Sequence, residues 1–379
     1  MNDKPFVSYP ISDRRTFLKN TIIGTTGLTL SSMAYGGCSS ILTKSKSTMI
    51  GTAKMRKVTH SSPSTVSLFS STDQRDASYN SLKPLQGEIE NAIGEKQVVI
   101  KVNMGQVASD RWLNATDVNF TRGILDFLKL FYNRPVIIAE STASRNGTMT
   151  GFENYGYIPL EKEYNVKLLD LNNMPTTKMW IKSELSNPLG INIINTFLDP
   201  DVYMISATRL KTHDRVIVTL SLKNISLASP INNYTQKTIE GRRNNEKGLM
   251  HIGKNSNGGK DTSYNMFRLA TYGVQPDLAV LDGIVGMEGN GPVGGTPKEG
   301  KIALASTDWV AADRVGVELM GVNYDDIKYL QFCSTAGMGA DDISKMNLIG
   351  GNYRNHISTY TLNKNIDQQR EWLHEDFGI

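Results

Sequence analysis

The chain has 379 residues and only two cysteines, Cys38 and Cys333. Two thiols cannot build a small disulfide-stapled scaffold, a four-cysteine iron–sulfur cluster or a four-cysteine zinc site. Histidine is nearly as scarce, with five residues in all, and none stands in an HExxH or CxxC setting, so spacing alone nominates no metal centre. A charge of one sign is missing as well. Lys and Arg total 41 against 37 Asp and Glu, for a net charge of +4, which is too small for a nucleic-acid footprint. No stretch reaches the ~20 strongly apolar residues of a spanning helix. What remains is 39% hydrophobic and 21% charged, with 33 Gly and 13 Pro, the composition of a globular chain that can bury a sizeable core. There is no internal repeat.

Near the start, Asp13-Arg14-Arg15-Thr16-Phe17-Leu18-Lys19 precedes an uncharged, mildly apolar stretch rich in Thr, Gly and Ser that runs to Gly37. An amphipathic surface helix would need a charged opposite face, which this stretch lacks. The segment resembles a twin-arginine export signal, with Asp13 where that pattern carries Ser or Thr. Gly36-Gly37-Cys38 then resembles the lipobox of bacterial lipoproteins, although Tyr35 stands where Leu is usual. These resemblances imply a cleaved leader over residues 1–37, handling by the twin-arginine machinery and delivery to the periplasm or cell envelope. They leave lipidation of Cys38 as the one candidate membrane attachment, with simple secretion as the alternative. Residues 38–65 are rich in Ser, Thr and Lys and read as a tether. Residues 66–379 form the expected single large domain.

In that body, apolar runs alternate with helical patterns. Strands are expected at Val98–Asn103, Pro135–Glu140, Val166–Asp170, Val202–Ser206, Leu278–Asp282 and Ile302–Ser306. Asp117 is placed to cap a helix carrying Ile124, Leu125, Leu128 and Phe131, and another helix is expected from Trp309 to Met320. The alternation predicts an α/β fold with a largely parallel or mixed sheet, helices on both faces and the site at the carboxyl ends of the strands. Val216–Leu222 reads as a half-exposed, antiparallel edge. Asn103, Glu140, Asp170, Asp282 and Ser306-Thr307-Asp308 are expected along the carboxyl edge, with Arg209, Lys211 and His213 just beyond the fourth strand.

Basic groups dominate the candidate chemistry. Lys101, Arg209, Lys211, Lys223 and Lys247, with Asn103 and Asn224, supply the donors that a phosphate, sulfate or carboxylate needs. Lys101 and Lys223 each lie in or at the end of an apolar run, where a solvated lysine is least expected. His213 and His251 are the histidines placed for proton transfer, and Asp282 is the acid that could orient or assist them. The Asp282–Gly295 segment is dense in glycine and reads as a ligand-wrapping loop, with Gly289 and Gly291 letting backbone approach the ligand. Glu288 and Asp308 are the acids that a divalent metal would use.

In their order along the chain, Lys101-Val102-Asn103, Arg209 to His213, Ser221 to Asn224, Lys247 to His251, Asp282 to Gly295 and Asp308 to Asp313 resemble the family catalogued as domain of unknown function 362, over roughly residues 95–350. Many members of that family resemble iron–sulfur proteins through an added Cys-rich segment, which two cysteines cannot supply here. The reading is an exported enzyme acting on a small anionic substrate, with a divalent metal as the candidate cofactor. A non-catalytic envelope lipoprotein that binds an anion or metal complex is the alternative. A purely structural interaction protein would leave the basic residues at the strand ends unexplained.

Overall fold

The computed structural model describes Arg56, Val58 and residues 62–183, 187–237, 243–251 and 257–375. The expected leader, its Arg14-Arg15 pair and Cys38 lie outside the described residues.

The strands are β1 (Thr65–Ser70), β2 (Gln97–Lys101), β3 (Val136–Glu140), β4 (Val166–Asp170), β5 (Thr176–Lys182), β6 (Pro188–Ile194), β7 (Val202–His213), β8 (Ile217–Thr219), β9 (Asn232–Lys237), β10 (Arg243–Asn245), β11 (Leu278–Glu288), β12 (Thr296–Ser306) and β13 (Asn347–Ile349). The α-helices are α1 (Gln74–Leu82), α2 (Gln86–Ile93), α3 (Val118–Leu128), α4 (Thr148–Asn154), α5 (Leu160–Glu163), α6 (Ser221–Ser226), α7 (Asn257–Thr271), α8 (Trp309–Leu319), α9 (Lys328–Thr335) and α10 (Ile366–Arg370).

One nine-stranded mixed sheet runs β13-β1-β12-β11-β7-β2-β3-β4, with β8 folded back on β7. Strands β4, β3, β2, β7 and β11 are mutually parallel. All but the edge strand β4 are buried on both faces and accordingly read as largely apolar runs. Val98 and Ile100 alternate with Val99, so they pack on one face with Ile138, Ile205 and Phe120, Ile124 and Phe127 of α3. Helix α8 covers β11 and β12 on the opposite face. Asp117 caps α3 as expected, its side chain accepting from the Asn119 amide. Gly123 is required where α3 crosses α1, because a Cβ there would lie 2.1 Å from the Arg75 carbonyl oxygen. The α/β fold and mixed sheet are therefore as the sequence predicts.

Four local expectations need correction. Strand β7 does not stop at Ser206: it continues through Arg209, Lys211 and His213, all buried, because β8 and the extended β11 supply ladder partners beyond the end of β2. Strand β11 likewise runs to Glu288, so the glycine-rich loop shrinks to residues 289–295. Strand β12 is antiparallel to β11, which puts Ser306, Thr307 and Asp308 at the opposite edge from the carboxyl ends of the parallel strands. The expected Val216–Leu222 edge is a three-residue, fully buried strand, and Lys223 and Asn224 belong to helix α6.

Part of the stretch read as a tether is fastened to the body. Arg56 is buried and pairs with Asp277, while Ser64 Oγ donates to Asp308 Oδ2 at 2.5 Å. Among the described residues no helix is long and apolar enough to cross a membrane.

Candidate active site

Strand order places the site. From β2 the chain moves outward through β3 to β4, then returns to lay β7 on the other side of β2. A crevice opens at such a reversal, outside the carboxyl ends of the two strands. Lys101 ends β2 opposite Ser206 in β7, and β7 continues past it. Arg209, Lys211 and His213 recur at every second residue and so leave the strand on one side.

A single chain of contacts crosses the crevice. Lys101, 1% exposed, places Nζ 2.8 Å from Glu140 Oε1, and it donates to the Val102 carbonyl at 2.5 Å and Asn224 Oδ1 at 3.0 Å. Asn103 Nδ2 also donates to Asn224 Oδ1, at 3.0 Å. Lys211 Nζ donates to Asn103 Oδ1 at 2.5 Å and to the Asn114 carbonyl at 2.6 Å. Among the described residues these two acceptors use two of the three ammonium protons. Burial, reinforced by the neighbouring Lys223 and Arg209 charges, holds the Lys211 ammonium well below its ordinary pKa. Burial also lowers Lys101, against the pull of Glu140. Glu140 is held in turn by the amides of Met104 at 2.5 Å and Ser141 at 2.6 Å.

Helix α6 carries Asn224 and Lys223 into this network, and Asp313 of α8 fixes the start of that helix. Its carboxylate accepts from the Ser221 amide at 2.8 Å, the Ser221 hydroxyl at 2.6 Å and the Leu222 amide at 3.1 Å. Lys223 differs from its neighbours. It is 8% exposed, and among the described residues its ammonium makes no hydrogen bond or ion pair. Desolvation, partly offset by Asp214, pushes its pKa down to about 8.

His213 and His251 stack nearly parallel, with ring centroids 6.3 Å apart. Their hydrogen bonds assign different tautomers. His213 Nδ1 faces the backbone amides of Arg215 at 3.0 Å and Val216 at 3.4 Å, so it accepts and the ring proton sits on Nε2. The 3.3 Å approach of Asp214 Oδ1 to the same nitrogen is therefore not an ion pair. The Thr262 hydroxyl donates to the Met250 carbonyl at 3.0 Å, so its oxygen accepts from His251 Nδ1–H at 3.2 Å. That leaves His251 Nε2 with its lone pair. Burial and the nearby Lys223 charge depress both rings, His251 to about 3 and His213 well below its ordinary value. One neutral imidazole thus offers a hydrogen-bond donor at Nε2 and the other an acceptor.

The remaining candidates fall around this centre. Arg209 donates to the Ala115 carbonyl at 3.1 Å and to the Val285 carbonyl, lies 3.8 Å from Asp282, and stacks on Trp112. Burial pushes the Asp282 carboxyl up to about 6, although Arg209 opposes the shift. Arg209 and Asp282 form a structural pair beside the crevice. Gly291 backs it: a Cβ there would lie 2.1 Å from the Thr212 carbonyl oxygen. Gly289 accepts from the Thr212 hydroxyl at 2.9 Å. These glycines support the strand that carries His213. Lys247 Nζ spends its protons on Ser141 Oγ at 3.2 Å and the Ala228 and Pro230 carbonyls, each at 2.5 Å. It ties loops together.

Glu288 and Asp308 do not meet. Glu288 lies opposite Thr296 and Asp308 just beyond Ser306, which pairs with Ala279, so the two acids sit at opposite ends of one hairpin, roughly 30 Å apart. Glu288 accepts from the Thr361 amide at 2.8 Å, and Asp308 caps α8 and accepts from the Ala340 amide at 2.8 Å. Among the described residues no group of three or more His, Cys, Asp or Glu is placed to hold a metal ion. Glu140, Asn114, Thr262 and Asp313 carry no site role in the sequence reading. Glu140 gave a local signal, an acid ending an apolar strand, and Asp313 closes one of the family-like motifs. Asn114 acts through Lys211, 97 residues away, and Thr262 through His251 and Met250, with no signal of their own.

Residues 98–318 match the family described as Domain of unknown function (DUF362). The chain is 28% identical over 170 residues to Thylakoid-associated protein sll1697 of Synechocystis sp. (strain ATCC 27184 / PCC 6803 / Kazusa), a match covering 44% of this chain and 46% of that protein. Among solved structures, the lactate racemase apoprotein from Thermoanaerobacterium thermosaccharolyticum aligns with a TM-score of 0.38 at 13% identity, over 69% of this chain and 57% of that one.

Proposed function

We propose that this chain, which belongs to the Domain of unknown function (DUF362) family, is an exported enzyme that acts on a small anionic substrate between the carboxyl ends of β2 and β7. The observation that carries the reading is the stacked His213–His251 pair, whose hydrogen bonds leave a donor nitrogen and an acceptor nitrogen side by side next to buried lysines. A structural histidine pair needs no such complementarity, and a simple anion-binding site needs no imidazoles. In this reading Lys211 and Lys223 hold the anion, His251 Nε2 takes a proton and His213 Nε2–H donates a hydrogen bond to the oxygen on which charge develops.

Thermal unfolding in the presence of phosphate, sulfate, small carboxylates and divalent cations tests the site. A ligand that binds only the folded chain stabilises it by ~2.7 kcal/mol at a hundred times its Kd, on the order of 3–4 °C for a chain this long. At least one anion is expected to give such a shift, and Lys211→Ala to abolish it. No shift with any anion would remove the basis of the proposal. A shift that persists in His213→Asn, in a protein that turns over no bound anion, favours the non-catalytic lipoprotein instead.

The export half rests on Arg14 and Arg15. Replacing both by Lys is expected to leave precursor in the cytoplasm, measured by fractionation. Undiminished delivery to the envelope would sink the twin-arginine reading.

A further inference from the structure

We infer that Lys223 forms an imine with the carbonyl carbon of a small 2-oxo acid held in the crevice between β2 and β7. This rests on the anion-binding reading above and names the substrate class for it.

The inference begins from a contrast among four buried lysines. Lys101 has a carboxylate and two oxygen acceptors, Lys211 has two acceptors and Lys247 has three. Lys223 is buried too, at 8% exposure against 1% for Lys101 and Lys211 and 5% for Lys247, yet has no acceptor among the described residues. Structural lysines are enclosed because something receives their protons, so an enclosed ammonium without acceptors must be explained by what it meets in the functioning protein. A plain anion site is one explanation. The surroundings favour a nucleophile, because desolvation and adjacent cationic groups are how an amine becomes nucleophilic near neutral pH. Lys101 also presses against the Lys223 charge, opposed only by Asp214. With a pKa of about 8, the neutral fraction of Lys223 near pH 7 is on the order of a hundred times that of a solvent lysine.

Imine formation also needs an acid and a base, and both are at hand. The helix bearing Lys223 packs against β7, which carries His213, and against α7, which holds His251 through Thr262. The neutral amine attacks the carbonyl carbon, and the new C–N bond leaves the electron pair on oxygen. His213 Nε2–H donates a hydrogen bond to that oxygen while His251 Nε2 takes a proton from nitrogen and delivers it there, giving the carbinolamine. His251 then moves the second nitrogen proton to the hydroxyl, which leaves as water as the C=N bond closes. The balance is amine plus carbonyl to imine plus water, with no oxidant or reductant. The third Lys211 proton supplies a donor for the carboxylate of a 2-oxo acid, which an uncharged aldehyde would leave unused. Protonated from water, the imine becomes an iminium that draws electrons from the next carbon and acidifies any C–H it carries.

The test is reductive trapping on the full purified chain. It is incubated with pyruvate, glyoxylate or 2-oxoglutarate, treated with borohydride and mapped by peptide mass spectrometry, alongside thermal unfolding with the same acids. The expected result is one saturable adduct per chain on Lys223, suppressed by a competing simple carboxylate. It should form faster as pH rises toward 8. In Lys223→Arg, which keeps the charge, the adduct is expected to vanish while the thermal shift persists. A thermal shift without any adduct overturns the imine and leaves the anion reading standing. Neither shift nor adduct overturns both. An adduct on another lysine, or one undiminished in Lys223→Arg, also overturns the inference. Mapping wild type alone decides the position should the variant fail to fold.

Discussion

Replacing Glu140 by Ala is expected to cost about 3–5 kcal/mol of unfolding free energy, the range for removing one partner of a buried ion pair. The charge left behind is Lys101, 1% exposed and then facing only the neutral oxygens of Val102 and Asn224. The Met104 and Ser141 amides would lose their acceptor as well. Urea unfolding measures the effect as a fall in midpoint at unchanged slope. Removing the exposed Glu299 from its pair with Lys301 should cost only about 0.2–1 kcal/mol, as surface pairs do. A double change, Lys101→Met with Glu140→Leu, should recover much of the loss while abolishing the anion-induced thermal shift, because apolar packing can replace a buried pair in stability but not in binding. A loss below about 1 kcal/mol for Glu140→Ala would mean that Lys101 is folded as a neutral amine and that the pair is not the anchor of the crevice.

Asp313→Ala is the second large effect expected. Each buried donor left without an acceptor costs about 1–3 kcal/mol, and Asp313 receives three bonds from the first turn of α6. Because that helix carries Lys223 and Asn224, anion affinity should fall together with stability, and the ratio of the two losses separates a positioning role from general unfolding. Asp313→Asn keeps one acceptor oxygen and should lose less of both. It also isolates a pH dependence. Burial pushes the Asp313 carboxyl up to about 7 from an ordinary value of 3.8, so between these values the folded chain holds a proton that the unfolded chain has released. Stability from this group is then full below about pH 4 and lost as pH rises toward 7. Subtracting the unfolding profile of the Asp313→Asn variant from that of wild type should show this decline. A flat difference from pH 4 to 7 would mean that Asp313 is ionised in the fold throughout that range.

The sheet was legible because its parallel strands are buried on both faces and stand out as apolar runs, as in Val98 to Lys101 and Val136 to Glu140. The direction of β12 was not legible, since an apolar run looks the same whichever way it pairs, and this alone misplaced Asp308. The length of β7 was hidden for a different reason. Arg209 and Lys211 look like loop residues locally, yet their acceptors come from Ala115, Val285, Asn103 and Asn114, which no local pattern can foresee. The crevice itself was half legible: Lys101, Asn103, Lys211 and Asn224 do meet, and His213 does stack on His251. Lys247 and Glu288 meet loop carbonyls and the Thr361 amide, partners no local pattern announces, because residue type reports what a side chain can donate or accept and the fold decides how much of that capacity is used.

Strand β1 lies between β12 and β13, so the first strand of the sheet waits for nearly the last. The Thr65 carbonyl accepts from the Ser306 hydroxyl across 241 residues, and Asn347 reaches the Thr65 side chain across 282. At synthesis rates of ~5–20 residues per second, β1 emerges roughly 12 to 50 s before its first partner. The parallel block from β2 to β7 can assemble in that interval, but β12 must then seat on one side of β1 while β13 closes the other. Until this happens β1 offers two unpaired edges, each a template for another chain. High contact order at the sheet margin therefore makes closure, and not assembly of the crevice, the slow and aggregation-exposed step in producing this protein.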